Sequence, residues 1–269
     1  VAISRSGGGF GPTATAPSGN GAISSAILFP SNGDGSVSNV RFALSGAAMP
    51  DIVPLTLLWK VYPVSQAGYC TTFFHGRTDG SFIGDTTYFG CHPYPDTPPN
   101  GTPKSWEISI EGGDDIVDEN GNNTSVVNNA WYSQAASTRS SGTTIVDFYW
   151  DLRTSVNRRI SHTTGSALTN AAQSPAVTFG DAPWSANNER LSGRLRGIQI
   201  YNAQLSEANI QALELMEDDA AVLAKCSALG ITSLWYLNMN PTPSDITDKS
   251  GNGRNPSWVS ADHGTLWTP

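Results

Sequence analysis

Glu107 and Glu111 stand four residues apart in SWEISIE, and paired carboxylates are where acid–base or hydroxyl-binding chemistry would start. The run alternates as a strand does: Trp106, Ile108 and Ile110 face one way, and Ser105, Glu107, Ser109 and Glu111 the other. Two further runs alternate in the same manner. In Thr143 to Leu152, Asp147, Tyr149 and Asp151 oppose Val146, Phe148, Trp150 and Leu152; in Trp131 to Ala136, Tyr132 and Gln134 oppose Trp131 and Ser133. If these strands are neighbours, Glu107, Glu111, Tyr132, Gln134, Asp147 and Tyr149 share one polar face. Carboxylates, an amide and phenol rings suit sugars, whose hydroxyls hydrogen-bond to the first two and whose ring stacks on the third. The alternative is a plain solvated outer sheet face.

Loops add a second set of candidates. HPYPDTPPNG is stiff and has little conformational freedom to lose on binding. Its Tyr94, with Trp184 in FGDAPW, offers a stacking surface, or else the rings pack on prolines to pin the loop. In EGGDDIVDENGNN the oxygen ligands Asp114, Asp115, Asp118 and Asn120 crowd a Gly-rich turn, a donor set that suits Ca²⁺. The same run also reads as a solvated acidic hairpin tip. No HExxH, CxxC, P-loop, dinucleotide or G-x-S-x-G pattern is present, so no organic cofactor is expected.

The elements that must position these residues are strands. Of 269 residues only 14% are charged, while Gly and Pro number 27 and 17, against about 25% charged in an average chain. Hydrophobic residues make up 38%, with eight Trp, enough for a sizeable core. The net charge of −8 disfavours nucleic acid and anionic membrane as partners. No apolar run approaches the roughly 20 residues of a membrane-spanning helix. The chain opens at Val1 without a methionine, which predicts a processed or partial chain, and its first residues do not read as a signal peptide.

Residues 1–39 read as a Gly/Ser-rich arm plus a first strand at Ala26 to Phe29, docked on a domain spanning 40–269. Short alternating segments follow at Val40 to Leu44, Leu55 to Val61, Tyr69 to His75, Thr86 to Gly90, Trp106 to Glu111, Trp131 to Ser137, Thr144 to Leu152, Ala176 to Phe179 and Leu195 to Tyr201. The pattern predicts an all-β, two-sheet antiparallel sandwich or jelly roll, with one or two short helices near the C-terminus. Ser206 is the expected N-cap of the first helix, with Ile210, Leu213 and Met216 on one face; a second runs from the acidic Glu217-Asp218-Asp219 to Gly230. A hairpin turning at Asp79-Gly80 would set Cys70 opposite Cys91 and Phe73 opposite Tyr88. That geometry predicts a Cys70–Cys91 disulfide with Cys226 free; two small buried thiols are the alternative.

From Trp131 onward WYSQAAS, IVDFYWDL, VTFGDAPW and SGRLRGIQIYNAQLSEANIQAL resemble the laminin G-like jelly roll of the concanavalin A-like lectin/glucanase superfamily. Gly193, Leu195, Gly197, Ile198, Ile200, Tyr201, Leu205, Ser206, Glu207 and Ile210 stand where that family's closing strand and helix start belong. The family's opening block, an aromatic strand and an Asp-x-Ser-Gly-Asn-Gly turn, stands here at the end as SLWYLNMN and DITDKSGNG. The resemblance therefore implies permuted strand order, with residues 234–267 inside the domain. Glu107 to Glu111 also resembles the Glu-x-Asp-x-Glu strand of jelly-roll glucanases, but Ser109 occupies the central position, where an aspartate tunes the nucleophile.

The function expected is thus a non-catalytic, glycan-binding, lectin-like module of a cell-surface or virion-surface protein, its partner a glycan or polysaccharide. Two alternatives stand beside it: a structural building block of an extracellular or virion assembly, and a polysaccharide hydrolase or lyase. In the structural reading the N-terminal arm reaches a neighbouring subunit or a second copy of the chain.

Overall fold

The computed structural model describes residues 25–29, 42–44, 54–64, 72–76, 89–94, 105–110, 114–116, 127–140, 143–149, 151–152, 159–163, 176–181, 191–232, 235–237, 239–259 and 264–269. The strands are β1 (Ala26–Phe29), β2 (Phe42–Leu44), β3 (Leu55–Pro63), β4 (Phe73–Gly76), β5 (Phe89–Tyr94), β6 (Ser105–Ile110), β7 (Asp114–Ile116), β8 (Tyr132–Ser140), β9 (Thr144–Tyr149), β10 (Arg159–Thr163), β11 (Ala176–Phe179), β12 (Gly193–Tyr201), β13 (Trp235–Tyr236), β14 (Ser257–Trp258) and β15 (Thr265–Trp267). Two helices, α1 (Glu207–Glu214) and α2 (Asp219–Ala228), lie between β12 and β13. One sheet runs β10-β9-β8-β3-β12-β1-β15, with β13 also on β12; the other runs β14-β2-β11-β4-β5-β6-β7. Their pairings are antiparallel, so the chain is an all-β, two-sheet sandwich with two late helices.

Chain ends meet in both sheets. β1 lies between β12 and β15, β13 lies on β12, and β14 pairs with β2. The C-terminal tryptophans complete the inter-sheet core: Phe179 stacks on Phe42 at 5.1 Å and on Trp235 at 5.3 Å, and Trp258 meets the edge of Phe42 at 5.5 Å. Each large apolar side chain so enclosed contributes about 1.5–3 kcal/mol. The boundary expected between residues 39 and 40 lies outside the described residues.

Register departs from expectation at one hairpin. Phe73 pairs with Cys91, not Tyr88, and His75 with Phe89. The reason lies across the sheet: β4 also pairs with β11, with Phe73 opposite Phe179, and Phe179 opposite Phe42. Alignment with two neighbouring strands outweighs the Asp-Gly turn that was expected to centre the hairpin. Cys70 lies outside the described residues. β5 is likewise shifted from Thr86 to Gly90, reaching Tyr94 through Pro93.

The second face of the β8-β3-β12 sheet is covered by the helices. Ser206 caps α1 through Asn209 N (3.3 Å), and Asp218 caps α2 through Ala221 N (2.8 Å). Ile210, Leu213, Val222 and Cys226 pack on Leu58, Ala135, Tyr149, Tyr201 and Tyr236. A bulge between Arg196 and Gln199 lets β12 serve this layer along its length. Before the bulge even-numbered residues face the helices; after it Gln199 and Tyr201 do, while Ile198 and Ile200 enter the inter-sheet core. Gly197 makes the switch at φ 57°, where a Cβ would lie 2.4 Å from Met239 Sδ.

Candidate functional site

The described side chains best placed to meet a ligand gather where β3, β8 and β12 emerge beside the helical cover. Tyr62 and Trp131, both half-buried, meet edge to face with ring centroids 5.4 Å apart. The Arg194 guanidinium lies 4.1 Å from the Tyr62 ring centre, and that of Arg196 lies 5.1 Å from the Trp131 ring centre. Arg194 and Tyr62 are direct register partners. Trp131 is placed by the turn before it. Asn129 adopts φ 62°, a left-handed conformation asparagine tolerates, and its N–H donates to Pro63 O at 2.7 Å. Val127 N donates to the Tyr132 hydroxyl at 2.7 Å. Two rings and a guanidinium are thereby held as a half-exposed platform on rigid strands, a surface that offers stacking and hydrogen-bond donors together.

Behind this platform lies a buried charge cluster. Lys60 Nζ donates to Glu217 Oε1 and, at 3.0 Å, to Glu214 O. Arg196 donates to Glu217 Oε2 at 2.7 Å and to Met239 O at 3.3 Å. Burial lowers the Lys60 pKa, against the opposing pull of Glu217. The cluster ties sheet to helices, with the Arg196 guanidinium held between Glu217 and the Trp131 ring.

Of the six residues expected on one polar face, the five that are described do not share one. β8 pairs with β9 so that Ala135 faces Tyr149 and Ser137 faces Asp147. Odd positions therefore share a face, and even positions share the other. Tyr132 and Gln134, opposite Val61 and Trp59, point into the inter-sheet layer. Asp147 and Tyr149 point to the other side, and all four are buried. Asp147 accepts from Arg139 and from Ser161 Oγ, and Tyr149 packs in the helix layer. Glu107 belongs to the opposite sheet, where it is the register partner of His92, and Tyr94 is that of Ser105.

Asp114 and Asp115 pair with Ile110 and Ser109 in β7. Glu111, Trp184, Asp118 and Asn120 lie outside the described residues. Among the described residues, no group of three or more His, Cys, Asp or Glu is placed to share a metal ion. Cys226 is a buried free thiol, 3.3 Å from the Tyr201 hydroxyl. Sequence reasoning passed over Tyr62 and Arg194. The available signal was a second, outward parity in the hydrophobic run LTLLWKVYP, where Lys60 and Tyr62 alternate with Trp59 and Val61.

No family model matches the chain, and no curated protein is significantly similar to it in sequence. Solved structures that align with the chain include tailspike protein 2 of an Escherichia coli bacteriophage, at 13% identity and TM-score 0.45, covering 70% of this chain and 25% of that one. Domain 4 of an extracellular arabinanase from Geobacillus stearothermophilus, in complex with arabinotriose, aligns at 15% identity and TM-score 0.36, covering 69% of this chain and 70% of that one. Scytalido-glutamic peptidase aligns at 9% identity and TM-score 0.33, covering 68% and 82%. The chain spans about a quarter of the tailspike's length. Likeness this distant leaves the chain's function to be read from its own residues. Among the described residues, no helix is long and apolar enough to cross a membrane.

Proposed function

We propose that this chain is a non-catalytic, glycan-binding, lectin-like module of a cell-surface or virion-surface protein. The observation that carries the proposal is the Tyr62–Trp131–Arg194 platform. Ring faces stack on the apolar C–H surface of a pyranose, and a guanidinium beside them donates to hydroxyls. Two features favour binding without turnover. Asp147 is engaged by Arg139 and Ser161, and Ser109 stands where a glucanase strand would carry its central aspartate.

A single platform of this size holds one or two sugar units through contacts of about 0.5–1.5 kcal/mol each. Useful affinity then comes from long chains or from several copies of the module. Ca²⁺ at Asp114, Asp115, Asp118 and Asn120 would brace the β6–β7 end of the second sheet. A surface location would also favour a bridge between Cys70 and Cys91.

A glycan array on the chain, with and without chelator, tests the reading. Binding to at least one polysaccharide is expected, with no release of reducing or unsaturated ends. Trp131→Ala should weaken that binding at least tenfold. Cleavage of any bound polymer, or binding indifferent to both Trp131→Ala and Tyr62→Ala, would overturn it. Sensitivity to chelator would support the Ca²⁺ site, and indifference would remove it. Thiol titration of the unfolded chain should find one free thiol, Cys226; three would remove the bridge.

A further inference from the structure

At the far end of β12 three elements close around a cavity of about 390 Å³. One wall is the exit from β12, with Tyr201, Asn202, Ala203 and Leu205. Another is the exit from α2, with Ile231 and Thr232, and the third is the turn bearing Asn252 and Arg254. The volume is at the small end of the range for small-molecule sites, roughly 300–1,000 Å³. We infer that this cavity is a second carbohydrate site, one that takes a single neutral sugar unit. The inference rests on the glycan-binding reading and names a ligand class for a site apart from the platform. Arg194 and Tyr201 are separated by roughly 20 Å along β12, at about 3.3 Å per residue.

Each wall is fixed before any ligand arrives. Thr56 Oγ1 donates to Ala203 O at 2.7 Å and accepts from Leu205 N at 3.0 Å, which clamps the β12–α1 link to β3. The α2 exit is closed by Gly230 at φ 66° and by Ile231 N donating to Cys226 O at 3.0 Å. In the third wall Asp248 organises the turn. Its Oδ1 accepts from Tyr236 N (3.1 Å) and Ser250 N (2.8 Å), and its Oδ2 from Ser250 Oγ (2.8 Å) and Arg254 N (3.1 Å). The Asp-x-Ser-Gly-Asn-Gly block is thus a stapled turn that presents Asn252 and Arg254. A preformed pocket spares the ordering cost that a flexible loop would incur on binding.

The lining sets the ligand's chemistry. Two amides and a hydroxyl supply donors and acceptors in turn, as a sugar's hydroxyls do, while Ala203, Leu205 and Ile231 give an apolar wall for its C–H face. Arg254 is the one charged residue among those lining the cavity, and it shares the space with the carbonyl end of α2. The partial negative charge of that helix terminus opposes part of the guanidinium's charge. The chain's net charge of −8 opposes the approach of an anion. A neutral sugar is favoured and a uronate is not.

Titrating the isotope-labelled full chain with the methyl glycosides of glucose, galactose, mannose and arabinose, and with glucuronate, tests this by NMR. At least one neutral glycoside should shift the side-chain amide signals of Asn202 and Asn252, and glucuronate should shift them at least fivefold less at equal concentration. Asn252→Ala and Arg254→Gln should each weaken that glycoside at least fivefold while polymer binding through Trp131 persists. Arg254→Gln keeps the backbone bond to Asp248, and an unchanged thermal midpoint would show that the turn is intact. Failure of every neutral glycoside to shift these signals overturns the inference, as does equal response to glucuronate. If polymer still binds through Trp131 in that case, the glycan-binding reading stands and only the pocket falls; if nothing binds anywhere, both fall.

Discussion

The two faces of the β8-β3-β12 sheet are both buried, yet they are held by different physics. Toward the other sheet the contacts are aromatic and aliphatic: Trp59 lies nearly parallel to Phe148 at 6.5 Å, and Phe29, Phe42, Phe179 and Trp235 fill the centre. Toward the helices the layer mixes apolar packing with Lys60, Arg196 and Glu217, the Tyr201–Gln199 bond at 2.6 Å, and the Tyr236–Asp219 bond at 2.6 Å. A dispersed apolar layer tolerates small losses. A layer of buried charges and phenols is stable only while every partner is present, so its failures are larger and depend on pH.

The contrast is sharpest at Glu217. Removing it in Glu217→Ala strands both Lys60 and Arg196 inside the protein, and should cost about 3–5 kcal/mol in denaturant unfolding. Replacing the trio together by Lys60→Met, Arg196→Met and Glu217→Leu should leave stability close to that of the parent chain. A loss below about 1 kcal/mol for Glu217→Ala would show that the helix layer does not depend on its charges.

The next largest effect is alkaline. Burial, reinforced for Tyr236 by Asp219, pushes the phenols of Tyr201 and Tyr236 well above their ordinary value. A raised acid contributes stability that is complete below its unfolded pKa and is lost as pH rises above it. For these two the loss begins near pH 10 and reaches about 2–3 kcal/mol by about pH 11. The Cys226 thiol, also raised by burial, adds to the loss from about pH 8.5 upward. Lys60, lowered by burial, acts in the opposite sense below about pH 10.4. Tyrosinate absorbance should therefore titrate in two phases, the second coinciding with loss of helical signal. A single phase near pH 10 with the fold intact would contradict this.

In the inter-sheet layer Ile198→Val should cost only about 0.5–1.5 kcal/mol, with no change in pH dependence. The smallest effect belongs to the surface. Lys249 bridges Asp245 at 2.8 Å one helical-type step away, and this contact lowers the Asp245 pKa. Lys249→Ala should cost about 0.2–1 kcal/mol, a contribution present above about pH 4 and lost as pH falls through the lowered value. A larger loss than that from Ile198→Val would reverse the order of surface and core.

Much of this was legible from residue order. Alternation located β3, β8, β9, β11 and β12 to within a few residues, and the Ser206 cap and Gly230 stop bounded the helical region, because strand parity and helix capping are local properties. The sites of chemistry were not legible in this way. Parity shows that Tyr132 opposes Trp131 and that Asp147 opposes Phe148. It does not show which parity of β8 meets which parity of β9, and that pairing sent Gln134 into the inter-sheet layer and Asp147 to the opposite, also buried, side. The bulge at Gly197 exchanged the two faces of β12 midway, and β4, aligned with β11, set Phe73 rather than a more distant residue opposite Cys91. Each of these outcomes is a register between segments distant in sequence. Register is decided by the whole sheet's burial, and a one-residue slip inverts every side chain in a strand. Sequence alone therefore determined that the chain builds a sandwich with helices near its end; tertiary structure decided that Tyr62, Trp131 and Arg194 would meet.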